Sequence, residues 1–126
     1  MLYQGSFKEI DPERYGEIWL VVRQLSAVPR NPKGNIKHVR ILSPSKALLF
    51  ESLDLKRRGL WDQAHFDNSY APRFLKEMLG NPQAMDKLRE LERLSREKDI
   101  LIACFCPNAD DCHRSLIVKI IAQMRS

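Results

Sequence analysis

Ile100-Leu-Ile-Ala-Cys-Phe-Cys-Pro-Asn-Ala-Asp-Asp-Cys-His-Arg-Ser115 passes from an apolar run into three cysteines, two acids, a histidine and an arginine within one short segment. The unbroken apolar stretch from Ile100 to Cys106 reads as a strand buried on both faces, as the central strands of parallel sheets are. Pro107 and Asn108 end it. Beyond them Leu116, Ile117, Ile120, Ile121 and Met124 recur at the spacing of one helical face, with Lys119, Gln123 and Arg125 opposite. Strand, short loop and helix is the repeating unit of an α/β fold. Asp110 or Asp111 suits the N-cap position, which puts Cys112, His113, Arg114 and Ser115 in the first helical turn. There the unpaired N–H groups and the helix dipole attract an anion.

Upstream, Ile18-Trp-Leu-Val-Val22 is a second apolar, β-branched run without polar alternation, and Arg23 stands at its C-terminal end. Ligands of open parallel sheets bind in the crevice outside the carboxyl ends of the strands. Arg23 and the Cys106 loop therefore share one rim if the two strands are neighbours; otherwise Arg23 is a surface side chain. Leu2, Tyr3 and Phe7 around Gly5 make a short edge strand, and His38-Val-Arg-Ile-Leu42 another. The proline- and glycine-containing segment from Ser26 to His38 is a basic loop able to close over an acidic ligand.

The remaining segments are helical. Asp11-Pro12 is an N-cap followed by a proline at the first helical position, opening a short turn through Tyr15. Ser43-Pro44 repeats the pattern before a helix carrying Leu48, Leu49 and Leu53, which Lys56-Arg57-Arg58-Gly59 stops. Asn68 or Ser69 caps a helix bearing Tyr70, Phe74, Leu75, Met78 and Leu79, closed by Gly80-Asn81-Pro82. From Pro82 to Lys98, Met85, Leu88, Leu91 and Leu94 line one side, and Glu92 with Arg96 is an i,i+4 ion pair. His65 has no partner in view and reads as a packed or surface histidine. Helices separating buried strands give one α/β layered domain over residues 1–126, with a small, mostly parallel sheet flanked by helices.

The 126 residues suffice for one sizeable core. Lysine and arginine outnumber the acids by 21 to 16, and the resulting charge of +5 favours acidic partners such as nucleotides or nucleic acid. The basic residues are scattered and not interleaved with aromatics, so binding of nucleic acid is expected to be weak and indifferent to sequence. No leader pattern and no apolar run of membrane-spanning length is present, which points to the cytoplasm and to cysteines held as thiols.

Three chemistries fit the cysteine segment. Cys104, Cys106, Cys112 and His113 are soft ligands suited to zinc, but neighbours in a helical turn diverge by about 100°, so Cys112 and His113 ligate together poorly and no metal or other cofactor is expected. Cys112, at a helix start beside a cation, or Cys106 at the strand end is a reactive thiolate or a packed residue, and Cys104 packs within the buried run. In the third chemistry His113 is a donor or general acid. Arg114 by its fork and Ser115 by its hydroxyl hold a phosphate, with Arg23 and Cys106 on the same rim; alternatively Arg114 pairs with an aspartate of the loop. The expected ligand is a phosphorylated small molecule or nucleotide. The alternative is a non-enzymatic module recognising nucleic acid or protein, in which the Cys-His-Arg turn is structural.

The Cys112-His113-Arg114-Ser115 turn after an apolar strand and acidic loop resembles the Cys-His-Arg signature of the domain of unknown function family 488. Leu20-Val-Val-Arg23, Leu42-Ser-Pro-Ser45, and Trp61, Phe66 and Tyr70 ahead of Phe74-Leu75 resemble the pattern of its small YeaO-like branch. The resemblance spans roughly Ile18 to Ile121. It departs at Val22, where the branch usually carries an acid, and in the Cys-Phe-Cys before the loop. The resemblance implies a Rossmann-like α/β fold and an intracellular location, without a settled reaction.

Overall fold

In a computed structural model, residues 1–23, 35–105 and 112–125 are described. Four strands form one parallel sheet: β1 (Leu2–Ser6), β2 (Glu17–Leu20), β3 (Ile36–His38) and β4 (Ile100–Cys104), in the order β1-β4-β2-β3. The last strand in sequence thus lies between the first two, with Leu2 opposite Ile100 on one side and Glu17 opposite Ile100 on the other. This central place explains why every residue of β4 is buried. The apolar run from Ile100 was expected to stay extended to Cys106; the strand ends at Cys104, and Cys106 lies outside the described residues.

Alternation along the strands divides the core in two. Trp19, Val21, Ile100 and Ile102 face the larger cluster, built with Leu48 of α1 (Lys46–Arg57), Phe74 and Met78 of α3 (Ala71–Leu79), Leu88 and Leu91 of α4 (Pro82–Ser95) and Ile117 and Ile121 of α5 (His113–Arg125). Ile18, Leu20, Leu101 and Ala103 face the opposite way, under Phe7, Ile10 and Tyr15 from the chain's opening turns and under Phe105. A Rossmann-like layered arrangement results, with the four long helices gathered on one face. Burying a side chain such as Ile117 or Leu91 stabilises by about 1.5–3 kcal/mol each, so the helical face carries most of the fold's apolar stabilisation.

Local signals account for several boundaries. Asp11 accepts from the Glu13 amide, and Pro12 leads the 3-10 turn Pro12–Arg14. Arg58 ends α1, and Gly59 follows at φ +70, a conformation that favours glycine. Glu92 and Arg96 make the expected i,i+4 bridge at 2.6 Å.

Three expectations are corrected. Ser43-Pro44 does not open the first long helix: Ser43 closes a 3-10 turn over Arg40–Leu42, and Ser45 is the cap, its hydroxyl accepting from the Leu48 amide. A serine before a proline and a serine two residues later compete, and Glu77 decides between them by accepting from both the amide and the hydroxyl of Ser45. The segment from His38 to Leu42 is strand only at His38, because Val39 turns the chain into that 3-10 turn. Asn68 and Ser69 are not caps, since the helical path starts earlier at α2 (Gln63–His65), capped by Asp62, and runs through a π turn over Phe66–Tyr70 into α3. The wide turn has a physical cause: Pro72 has no N–H for the Asn68 carbonyl, and its ring crowds that carbonyl.

At the amino edge of the sheet Glu17 is nearly inaccessible, yet it is ionised. Burial alone raises its pKa, but Lys37 at 2.6 Å, Lys98 and the Trp19 indole N–H override that and hold it at about 2. This buried charge lies at the end of β2 opposite to Arg23, and it belongs to the scaffold. Among the described residues, no helix is long and apolar enough to cross a membrane.

Candidate functional site

At the carboxyl rim, backbone pairing continues past the strand ends: the Val21 amide donates to the Ala103 carbonyl at 3.0 Å and the Val39 amide to Leu20 at 2.8 Å. β2 and β4 are therefore neighbours up to Val21 and Ala103, and Arg23 stands on the same rim as Cys104. This was the condition that the sequence left open. Cys106 itself, Asp110 and Asp111 lie outside the described residues, as does most of the basic loop that begins at Ser26.

Four side chains meet where β4 ends and α5 begins. Cys104 Sγ and Cys112 Sγ are 3.0 Å apart, and Arg114 Nη1 donates to Cys104 Sγ at 3.0 Å. Cys112 Sγ is 3.6 Å from His113 Nδ1, while His113 Nε2 is 2.6 Å from the Val21 carbonyl oxygen. A carbonyl only accepts, so Nε2 carries the hydrogen, and in the neutral ring Nδ1 is then the accepting nitrogen turned to Cys112. Phe74 packs edge-on against the imidazole at 5.6 Å. All four residues are buried, Cys104 and Cys112 almost completely.

The arrangement differs from the expected first turn in two respects. Cys112 precedes α5 instead of lying within it, so its sulfur and the ring of its neighbour converge where two helical positions would diverge. Arg114, anticipated as an exposed anion holder, is only 3% exposed and donates to Cys104 Sγ. Beside a sulfur, a guanidinium stabilises the thiolate over the thiol. The Ser115 hydroxyl donates to the Cys112 carbonyl at 2.7 Å, closing the turn. Among the described residues, no group of three or more His, Cys, Asp or Glu side chains is assembled to hold a metal.

Along the same rim, Arg23, Arg40 and Lys46 line a cleft of about 190 Å³, with Leu49 and Phe50 as its apolar wall. Lys46 also lies 5.8 Å from the centre of the Phe50 ring. Among the described residues, none of the three cations is in an ion pair. Glu77 occupies the start of α1 through Ser45, so an anion in the cleft meets side-chain charges more than the helix terminus. Only Arg23 of these cations was singled out from the sequence. Arg40 sits in what looked like a strand, and Lys46 carried no reading of its own; no local pattern joins them. His38, whose Nε2 is 2.6 Å from the Val22 carbonyl, was also missed, and it steadies the backbone that presents Arg23. His65 packs against Trp61 at 5.4 Å, in keeping with its reading as a packed or surface histidine.

No curated protein and no solved structure matches this chain. The family model DUF488-N3a, described as the active DUF488-N3 subclade, matches residues 6–125, which takes in strands β2, β3 and β4, the cationic cleft and the Cys-His-Arg turn, and only the last residue of β1. The chain belongs to the DUF488 family.

Proposed function

We propose that the protein binds a phosphorylated small molecule or nucleotide along the carboxyl rim of its sheet and acts on it through Cys112 and His113. The observation that carries this reading is the cleft shared by Arg23, Arg40 and Lys46, three cations facing one space where parallel sheets receive ligands. Arginine forks and a lysine suit the oxygens of a phosphate. One strand away, His113 Nδ1 is placed to take the proton of Cys112, and Arg114 adds positive charge beside Cys104. That combination serves nucleophilic or proton-transfer chemistry on an anionic substrate. The subclade's description as active supports catalysis. A cytoplasmic, reducing setting suits the thiols, and the Leu42-Ser-Pro-Ser45 and aromatic patterns support a place in the YeaO-like branch.

The burial of the cluster favours a second reading, in which His113 and Arg114 clamp α5 to β2 and β4 and the protein is a non-enzymatic module for nucleic acid or protein. Thermal shift with inorganic phosphate and nucleoside monophosphates, on wild type, Arg23→Ala and Arg40→Ala, separates the two. A ligand at a hundred times its Kd stabilises by about 2.7 kcal/mol. The first reading expects that gain in wild type and a smaller one in both variants. No gain in any of them, together with oligonucleotide binding that ignores Arg23→Ala, establishes the second.

A further inference from the structure

The two thiols Cys104 and Cys112 are closer than the proposed chemistry on an anion requires. Their sulfurs are 3.0 Å apart, about 1 Å beyond the length of a disulfide bond. Their surroundings are unequal: Cys104 Sγ receives the Arg114 guanidinium, while Cys112 Sγ faces the accepting nitrogen of His113. One sulfur has a cation beside it, the kind of neighbour that favours a thiolate, and the other has a base for its proton. A thiolate next to a second thiol is the arrangement in which oxidation stops at a disulfide instead of advancing to sulfinic acid.

We propose that Cys104 and Cys112 form a reversible redox pair, oxidised by a small hydroperoxide. The Cys104 thiolate attacks the distal oxygen of the hydroperoxide; the O–O bond breaks, and with one proton taken up an alcohol or water departs, leaving Cys104 as a sulfenic acid. Cys112, its proton passing to His113 Nδ1, then attacks the Cys104 sulfur. The S–S bond forms as the S–O bond breaks, and hydroxide leaves as water with that proton. Two electrons have moved from the thiol pair to the peroxide oxygen, and two low-molecular-weight thiols return them by successive disulfide exchanges, leaving joined as their own disulfide. Both sulfurs are nearly inaccessible, at 1% and 2% exposure, so a molecule the size of hydrogen peroxide reaches them during local opening, and a protein oxidant does not. The bridge removes Cys112 as a nucleophile and fastens the start of α5 to the end of β4. This inference rests on the same thiols as the proposed function but not on ligand binding, so either can fail alone.

The test is intact mass and peptide mapping of the full chain, reduced with dithiothreitol and then exposed to a few equivalents of hydrogen peroxide. Cys106 is the third thiol of the chain, so Cys106→Ser is the informative background. There the oxidised protein is expected to lose two hydrogens, to yield a Cys104–Cys112 linked peptide, and to regain its mass with dithiothreitol. In Cys106→Ser/Cys112→Ser, dimedone should label Cys104 as the trapped sulfenic acid, and circular dichroism confirms that the variants fold. An unchanged mass of folded Cys106→Ser under peroxide, or gain of oxygen without a bridge, overturns the proposal. So does a wild-type bridge that involves Cys106 and disappears in Cys106→Ser.

Discussion

His113 Nε2 lies 2.6 Å from the carbonyl oxygen of Val21, a bond that spans 92 residues and ties the first turn of the last helix to the carboxyl end of a central strand. Through it one imidazole does two things. It satisfies a backbone acceptor that the sheet leaves unused, and by fixing its own tautomer it turns Nδ1 toward Cys112.

His113→Ala should therefore destabilise more than its size implies. Removal of the ring leaves the buried Val21 carbonyl without this donor, at a cost of about 1–3 kcal/mol, to which lost packing against Phe74 adds. Urea denaturation checks it, with His65→Ala as the comparison: His65 is half-buried against Trp61, and its loss is expected to cost less than about 1 kcal/mol. Equal losses at the two positions would show that the bond to Val21 is not made.

Acid should expose the buried charge of Glu17. Its folded pKa, at about 2, is below the ordinary 4.5, so its contribution is fully present above about pH 4.5 and is lost as pH falls toward 2. The displacement corresponds to roughly 3 kcal/mol at most. Urea midpoints taken from pH 6 to pH 2 should fall more steeply for wild type than for Glu17→Gln, which has no proton to gain. Parallel curves would mean that Lys37 and Lys98 do not hold the carboxylate as described.

Ser45 and Glu77 should behave as one unit. The serine caps α1 and the glutamate of α3 accepts from its amide and hydroxyl. Ser45→Ala is expected to cost about 1 kcal/mol as a lost cap. In a double-mutant cycle with Glu77→Gln, the two changes should fall short of additivity by at least about 0.5 kcal/mol. Strict additivity would contradict the contact. Because Lys46 follows Ser45, the cycle also reports whether the wall of the cationic cleft depends on this cap.

The sequence by itself determined the elements whose cause is local. The apolar run at Ile100 announces a central strand because burial on both faces leaves no room for polar alternation. Asp11-Pro12, Gly59 and the Glu92–Arg96 pair are each decided within one turn of chain. The family, too, was expected from the sequence, and the match over residues 6–125 bears out membership of the DUF488 family. Tertiary structure decided the rest. The choice of Ser45 over Ser43 as the cap depends on a carboxylate 32 residues away. The order β1-β4-β2-β3 places Arg23 and Cys104 on one rim, and strand order is a property of long-range pairing that periodicity does not encode. Arg40 and Lys46 join Arg23 only once the chain turns at Val39. Arg114 looks like a surface cation in the sequence, yet it is buried, with Nη1 donating to the sulfur of Cys104, ten residues earlier. A buried charge is retained only where a distant partner receives it, and the position of that partner is set by the folded chain.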